Sequence, residues 1–74
     1  MKYIRFRDAG IVLFAKRFDH DVFAARFEND KPISAGFVIY NYPDKTMVCY
    51  GESMTLGLKS CEDDSIGLNR MLDV

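Results

Sequence analysis

The chain has 74 residues, of which 49% are hydrophobic and 28% charged, with a formal net charge of −1. This length predicts one compact domain over residues 1–74, and the apolar content with so little net charge excludes an intrinsically disordered chain. No run of the sequence approaches the roughly 20 apolar residues that a membrane span needs. A chain this short also leaves no room for an enzyme with separate cofactor and substrate domains.

The first two predicted strands form a hairpin. Tyr3–Arg7 alternates apolar and charged residues, which is the period-two pattern of a half-buried strand. Asp8 to Gly10 favour a turn, because aspartate and glycine adopt turn conformations readily. The apolar run Ile11–Ala15 then predicts a second strand, antiparallel to the first and buried on both faces.

A short helix is predicted after Asp19, which is a favourable N-cap residue. Phe23 and Phe27 are four positions apart, so they share one face of this helix. The helix ends before Pro32, because the residue preceding a proline is disfavoured in the helical conformation.

The second half of the chain predicts three strands and a helix. Ile33–Tyr42 and Thr46–Tyr50 form the arms of a hairpin, and Met54–Leu58 alternates as a fifth short strand. The last helix begins with a variant capping box made by Ser60 and Asp63. The order ββαβββα predicts an α+β fold, in which two short helices pack on one face of an antiparallel or mixed sheet.

Few residues of the types that carry chemistry are present. Cys49 and Cys61 are expected to be free thiols, with Cys49 in the core. His20 lies between two aspartates, which fits a helix-capping segment better than a general base or a metal ligand. The sequence has no zinc-ligand spacing and no phosphate-binding loop. We therefore expect no enzyme activity, no metal and no cofactor, and a small enzyme centred on His20 is the remaining alternative.

One face of the predicted sheet combines apolar, aromatic and basic side chains. A solvent-exposed face is normally polar, so this composition predicts a partner. Three readings remain open: a second copy of the chain or a terminal segment covers this face, another protein binds there, or a nucleotide or nucleic acid does. The isoelectric point of about 5.7 argues against nucleic acid. The residues predicted to form this surface are Tyr3, Arg5, Arg7, Phe14, Lys16, Val38 and Tyr40.

Four segments resemble small phage- and prophage-encoded proteins of unknown function. These segments are Met1–Phe6, Ser34–Val38, Tyr50–Ser53 and Leu56–Leu58. The resemblance implies an accessory protein, an inhibitor or an anti-defence protein that acts by binding in the cytoplasm of the host. A cytoplasmic location is also expected because no apolar segment of signal-peptide length follows the basic start.

The sequence thus predicts a non-catalytic binding module that forms a homodimer and binds a host protein stoichiometrically. The alternative is a module that binds or sequesters a nucleotide, another anionic small molecule or nucleic acid through the same basic and aromatic face. Charge is basic over residues 1–17 and acidic over residues 61–74, an asymmetry that steers charged partners.

Overall fold

The computed structural model describes residues 1–72 as an α+β fold, which confirms the predicted class. Strands β1–β4 form one antiparallel sheet in the order β2-β1-β3-β4, and β5 pairs with β6 in a separate two-stranded sheet. The order is ββαββββα rather than the predicted ββαβββα. The elements are β1 (Lys2–Phe6), β2 (Gly10–Phe14), α1 (His20–Ala24), β3 (Pro32–Asn41), β4 (Thr46–Tyr50), β5 (Glu52–Ser53), β6 (Leu58–Lys59) and α2 (Glu62–Leu72).

The two helices pack on opposite faces of the four-stranded sheet, not on one face. We call the side that carries Ile4 the front face and the side that carries Tyr3 the back face. Phe23 of α1 packs on the front face, and Leu68 of α2 packs on the back face. Because neighbouring residues of β1 are both apolar, each face exposes apolar surface and needs its own cover.

The side chains of β2 point to the faces opposite to those that the sequence predicts. Leu13 lies opposite Tyr3, so Leu13 is on the back face and Phe14 is on the front face. Phe14 stacks on Phe23 with ring centroids 4.2 Å apart and an interplanar angle of 4°. The hairpin turn sets the register, and a shift of one residue moves every side chain of a strand to the other face. Phe14 is therefore a core residue.

The predicted fifth strand over Met54–Leu58 is wrong. A turn occupies most of that segment, and Gly57 adopts a positive φ of 66° in it. The Gly57 N–H donates to the Ser53 carbonyl oxygen at 2.9 Å, which closes a tight loop between β5 and β6. Leu56 and Leu58 of this loop pack against the front core.

Helix α2 covers the outer edge of β4 as well as the back face. The Met47 N–H donates to Asn69 Oδ1 at 2.8 Å, and Asn69 Nδ2 donates to the Met47 carbonyl oxygen at 2.8 Å. The Cys49 N–H donates to Ser65 Oγ at 2.9 Å. Backbone groups that would otherwise be free at this edge are therefore paired by helix side chains.

Candidate functional site

The residues predicted to form one exposed face do not lie together on the surface. Tyr3 and Val38 are buried beneath α2, and Phe14 is buried in the front core. Helix α2 covers Tyr3 and Val38 on the back face, whereas the register between β1 and β2 places Phe14 on the front face beneath α1. The remaining predicted residues are Arg5, which is partly covered, and Arg7, Lys16 and Tyr40, which are exposed at separate places.

Asp64 is the centre of a buried polar cluster between α2 and the back face. The Tyr3 hydroxyl donates to Asp64 Oδ2, and the Cys61 N–H donates to the same oxygen at 3.2 Å. Arg5 Nη1 lies 3.3 Å from Asp64 Oδ1 as an ion pair without hydrogen-bond alignment. Burial, and then the hydrogen bond to Asp64, raise the pKa of Tyr3 far above its usual value. Tyr3 is therefore a permanent proton donor that fixes α2 to the sheet.

The capping box of α2 lies one residue later than predicted. The helix begins at Glu62, and Asp64 reaches back to the Cys61 N–H, whereas the sequence assigns this role to Ser60 and Asp63. Which acidic residue of the first turn points inward depends on how α2 meets the sheet. That tertiary contact is absent from the local sequence pattern.

His20 is a buried structural residue. It is 4% exposed, and its Nε2–H donates to the Gly36 carbonyl oxygen at 2.9 Å. Phe14 and Phe37 pack against the imidazole with edge geometry, with ring centroids 5.5 and 5.8 Å away. Asp19 precedes α1 as predicted but makes no side-chain capping bond. Because it bonds to the Gly36 carbonyl oxygen, Nε2 of His20 serves a structural hydrogen bond.

A groove of about 670 Å³ lies between the β3–β4 hairpin and α2. Its volume is in the range of ligand-binding clefts. Three of its lining residues, Tyr40, Ile66 and Leu72, are large hydrophobic residues that are each about half exposed. The remaining residues around it are Lys45, Thr46, Met47, Asn69 and Arg70.

Two cations stand at this groove without an ionic partner among residues 1–72. Lys45 and Arg70 form no ion pair there, whereas Arg5 and Arg7 each do. Lys45 also has a φ of 55°, a left-handed conformation that closes the turn between β3 and β4. An apolar floor with two unpaired cations matches a ligand that has apolar groups and a negative charge.

The sequence alone does not distinguish the groove residues of α2 from its core residues. The apolar residues of this helix include Ile66, Leu68, Met71 and Leu72, and of these four only Leu68 is buried. Positions 66 and 68 are about 200° apart around a helix, so they cannot both face one surface. That spacing is the signal that part of this apolar set faces solvent.

A second basic site surrounds the Phe18 ring. The Arg17 and Arg26 guanidinium carbons lie 5.0 and 5.7 Å from its centroid, and Arg26 is also 5.6 Å from the Phe23 centroid. Lys2 Nζ donates to the Phe18 carbonyl oxygen at 2.8 Å. Cation–π contacts orient the two arginines, and neither pairs with a carboxylate of residues 1–72.

Across residues 1–72, no three His, Cys, Asp or Glu side chains are grouped so that they could hold a metal ion. Neither helix in that range has the length and apolar character needed to cross a bilayer. A comparison of the chain with protein-family models, curated protein sequences and solved structures finds no match.

Proposed function

We propose that the chain is a non-catalytic protein-binding module that acts as a homo-oligomer and holds an acidic, apolar segment of a partner protein in the groove. The observation that carries the proposal is the groove itself, in which Lys45 and Arg70, with no ion pair to any of residues 1–72, lie beside the exposed apolar surface of Tyr40 and Ile66. The resemblance to small phage proteins favours a host protein as the partner.

The chemistry of the groove supports a peptide segment as the ligand. An apolar side chain of the partner removes the surface of Tyr40, Ile66 and Leu72 from water, which provides binding free energy. A carboxylate of the partner meets Lys45 or Arg70, which favours acidic segments over basic ones. Tyr42 extends the surface, since its exposed ring packs edge-on against Tyr40 with centroids 4.7 Å apart.

Selection from a displayed library of random peptides tests this function. We expect the enriched sequences to combine large apolar residues with aspartate or glutamate. A synthetic peptide of the enriched sequence should lose at least about tenfold in affinity for Lys45→Glu/Arg70→Glu, because two attractive contacts become repulsive.

The matched control is Lys31→Glu/Lys59→Glu, which makes the same change in net charge at two exposed positions that do not line the groove. The control should bind the selected peptide with nearly the affinity of the unmodified protein. Enrichment of basic peptides, or equal loss in both double variants, would contradict the proposed groove function.

A second candidate function is the binding of a nucleotide or another anion at Arg17 and Arg26. The observation that favours it is the pair of guanidinium groups held around the Phe18 ring. Phosphate oxygens accept bidentate hydrogen bonds from arginine, and a base stacks on an aromatic ring. ATP or a short oligonucleotide should then raise the melting temperature, and Arg17→Ala/Arg26→Ala should abolish the rise. An unchanged melting temperature with both probes contradicts this candidate.

A further inference from the structure

The end of the β3–β4 hairpin extends beyond the rest of the four-stranded sheet. Strand β1 pairs with β3 only as far as Val38, which bonds to Met1, so Ile39–Asn41 pairs with β4 alone. A two-stranded ribbon has little stability unless another element covers it. The groove lies on the back face of this ribbon, where Tyr40 and Met47 are opposite each other. A segment that fills the groove therefore also covers this end of the sheet.

Helix α2 forms the other wall of the groove with residues of one face. Ile66, Asn69 and Arg70 line the groove, and positions i, i+3 and i+4 of a helix are neighbours on its surface. Such rows of side chains form the ridges by which one helix packs against another. Ile66 is 54% exposed, so no element of residues 1–72 covers this part of the ridge. The wall that α2 presents therefore has the side-chain arrangement against which a second helix packs.

The β4 edge beside the groove is not open to another strand. Met47 and Cys49 direct their N–H groups away from β3, and Asn69 and Ser65 of α2 already accept hydrogen bonds from them. A strand that adds to a sheet draws its affinity from backbone hydrogen bonds along such an edge. An extended segment in the groove would instead bury N–H and C=O groups of its own without partners, which is unfavourable.

Free backbone groups for strand addition lie on the far side of the sheet. Met1 and Val38 exchange backbone bonds of 2.8 and 3.4 Å, and bonding direction alternates along a strand from such a pair. Carried across β1, this alternation assigns Ile11 and Leu13 as the residues of β2 whose N–H and C=O groups point outward. Strand β2 is the edge opposite β4, so these groups do not reach the groove.

We propose that the acidic, apolar segment binds in the groove as an amphipathic helix that lies beside α2 on the back face of the hairpin. This inference rests on the groove function proposed above and names the conformation of its ligand. A helix pairs its own backbone groups, so it buries an apolar stripe without bonds to the β4 edge. The stripe has apolar residues three and four positions apart, and it contacts Tyr40 and Ile66.

The positions of the two groove cations specify where the helix carries its acidic residues. Lys45 belongs to the turn of the hairpin and Arg70 to α2, so the cations stand on opposite walls of the groove. A helix between these walls meets one cation on each side of its apolar stripe. Acidic residues are therefore expected on both flanks of the stripe and not within it.

The spacing of apolar residues in selected peptides tests the conformation. We use a displayed library of random peptides of about 16 residues, which is long enough to form a helix. The enriched acidic peptides should repeat large apolar residues at intervals of three and four. Acidic peptides whose apolar residues alternate at intervals of two, or show no common spacing, would overturn the helix.

A synthetic peptide of the enriched sequence gives a second test. Two positions on the side away from the apolar stripe are made alanine in one version and glycine in the other. Because these positions do not contact the protein, the pair differs in helix propensity, and the glycine version should bind about tenfold more weakly. Equal affinity of the two versions would contradict a helical ligand.

Variants of α2 test the wall of the groove with the alanine version of the peptide. Ile66→Ala should weaken binding about tenfold, because it removes apolar contact area from the ridge. Met71→Ala is the matched control, since Met71 is equally exposed on α2 but does not line the groove, and its affinity should be nearly unchanged. Equal losses in both variants would contradict this docking position. Failure to enrich acidic peptides would overturn the groove function itself, whereas acidic peptides that bind in an extended form overturn the helix alone.

Discussion

The two edge strands of the four-stranded sheet meet their surroundings in different ways. At β4, Asn69 and Ser65 of α2 pair the outward groups of Met47 and Cys49. At β2, the outward groups of the apolar strand have no such partner within residues 1–72. An unpaired apolar edge is a template for another strand. Helix α2 therefore closes the β4 edge, whereas the β2 edge is open within residues 1–72.

Helix α2 produces this contrast because one of its sides contacts the sheet at two places. Asp64 ties its first turn to β1 through Tyr3 and Arg5, and Ser65 and Asn69 reach the β4 edge four residues apart. Closure of the β4 edge therefore depends on the buried cluster that holds the helix in position.

The largest expected effect follows from Asp64→Ala, which removes the anchor of the closed edge. It leaves the buried Tyr3 hydroxyl without its charged acceptor and the partly exposed Arg5 without its ion-pair partner, which costs about 3 kcal/mol of unfolding free energy. Urea denaturation measures the loss. The control Asp63→Ala changes an exposed acid of the same turn and should cost less than about 1 kcal/mol. Equal losses would refute a special role for Asp64.

Asn69→Ala opens the closed edge directly. The variant frees both backbone groups of Met47, and we expect a loss of about 2 kcal/mol in unfolding free energy. With both edges of the sheet open, strand pairing between chains becomes easier, which light scattering detects as masses above that of the unmodified protein. Arg70→Ala, at the neighbouring exposed position, should leave both quantities nearly unchanged. An Asn69→Ala protein of normal stability and mass would break the comparison between the edges.

High pH should weaken the attachment of α2 through Tyr3. The folded-state pKa of Tyr3 lies above its unfolded value, so its contribution is fully present below about pH 10 and declines as pH rises further. The decline approaches about 1.4 kcal/mol per pH unit. Denaturation curves at several alkaline pH values should show a steeper loss for the unmodified protein than for Tyr3→Phe. Parallel losses in the two proteins would contradict this role of the hydroxyl.

Thiol labelling gives the smallest but most local signal. Burial raises the pKa of the Cys49 thiol, so in a Cys61→Ser background Cys49 should react slowly with a disulfide reagent. Asn69→Ala should accelerate this reaction, because release of α2 from β4 exposes the thiol. Val22→Ala, an exposed change on α1, is the control and should have no effect. Fast labelling in the unmodified protein would show that the edge is open.

Both long hairpins are predictable from the sequence, because period-two patterns and turn residues are local signals. The face that each β2 side chain occupies is not, since it depends on the register that the turn sets between β1 and β2. The residues predicted to form one exposed surface lie apart in the structure because of this register, and because α2 covers the back face. Asp64 and Asn69 resemble ordinary polar helix residues in sequence, and only the tertiary packing assigns their roles.

Amide hydrogen exchange of individual edge residues, followed as the protein is diluted, tests the central claim most directly. The account predicts that Met47 and Cys49 stay protected at every concentration, because α2 pairs them within one chain. Ile11 and Leu13 should exchange rapidly in dilute protein, because no group of residues 1–72 pairs their outward N–H groups. Exchange of Met47 and Cys49 that is as fast as that of Ile11 and Leu13 would contradict the account.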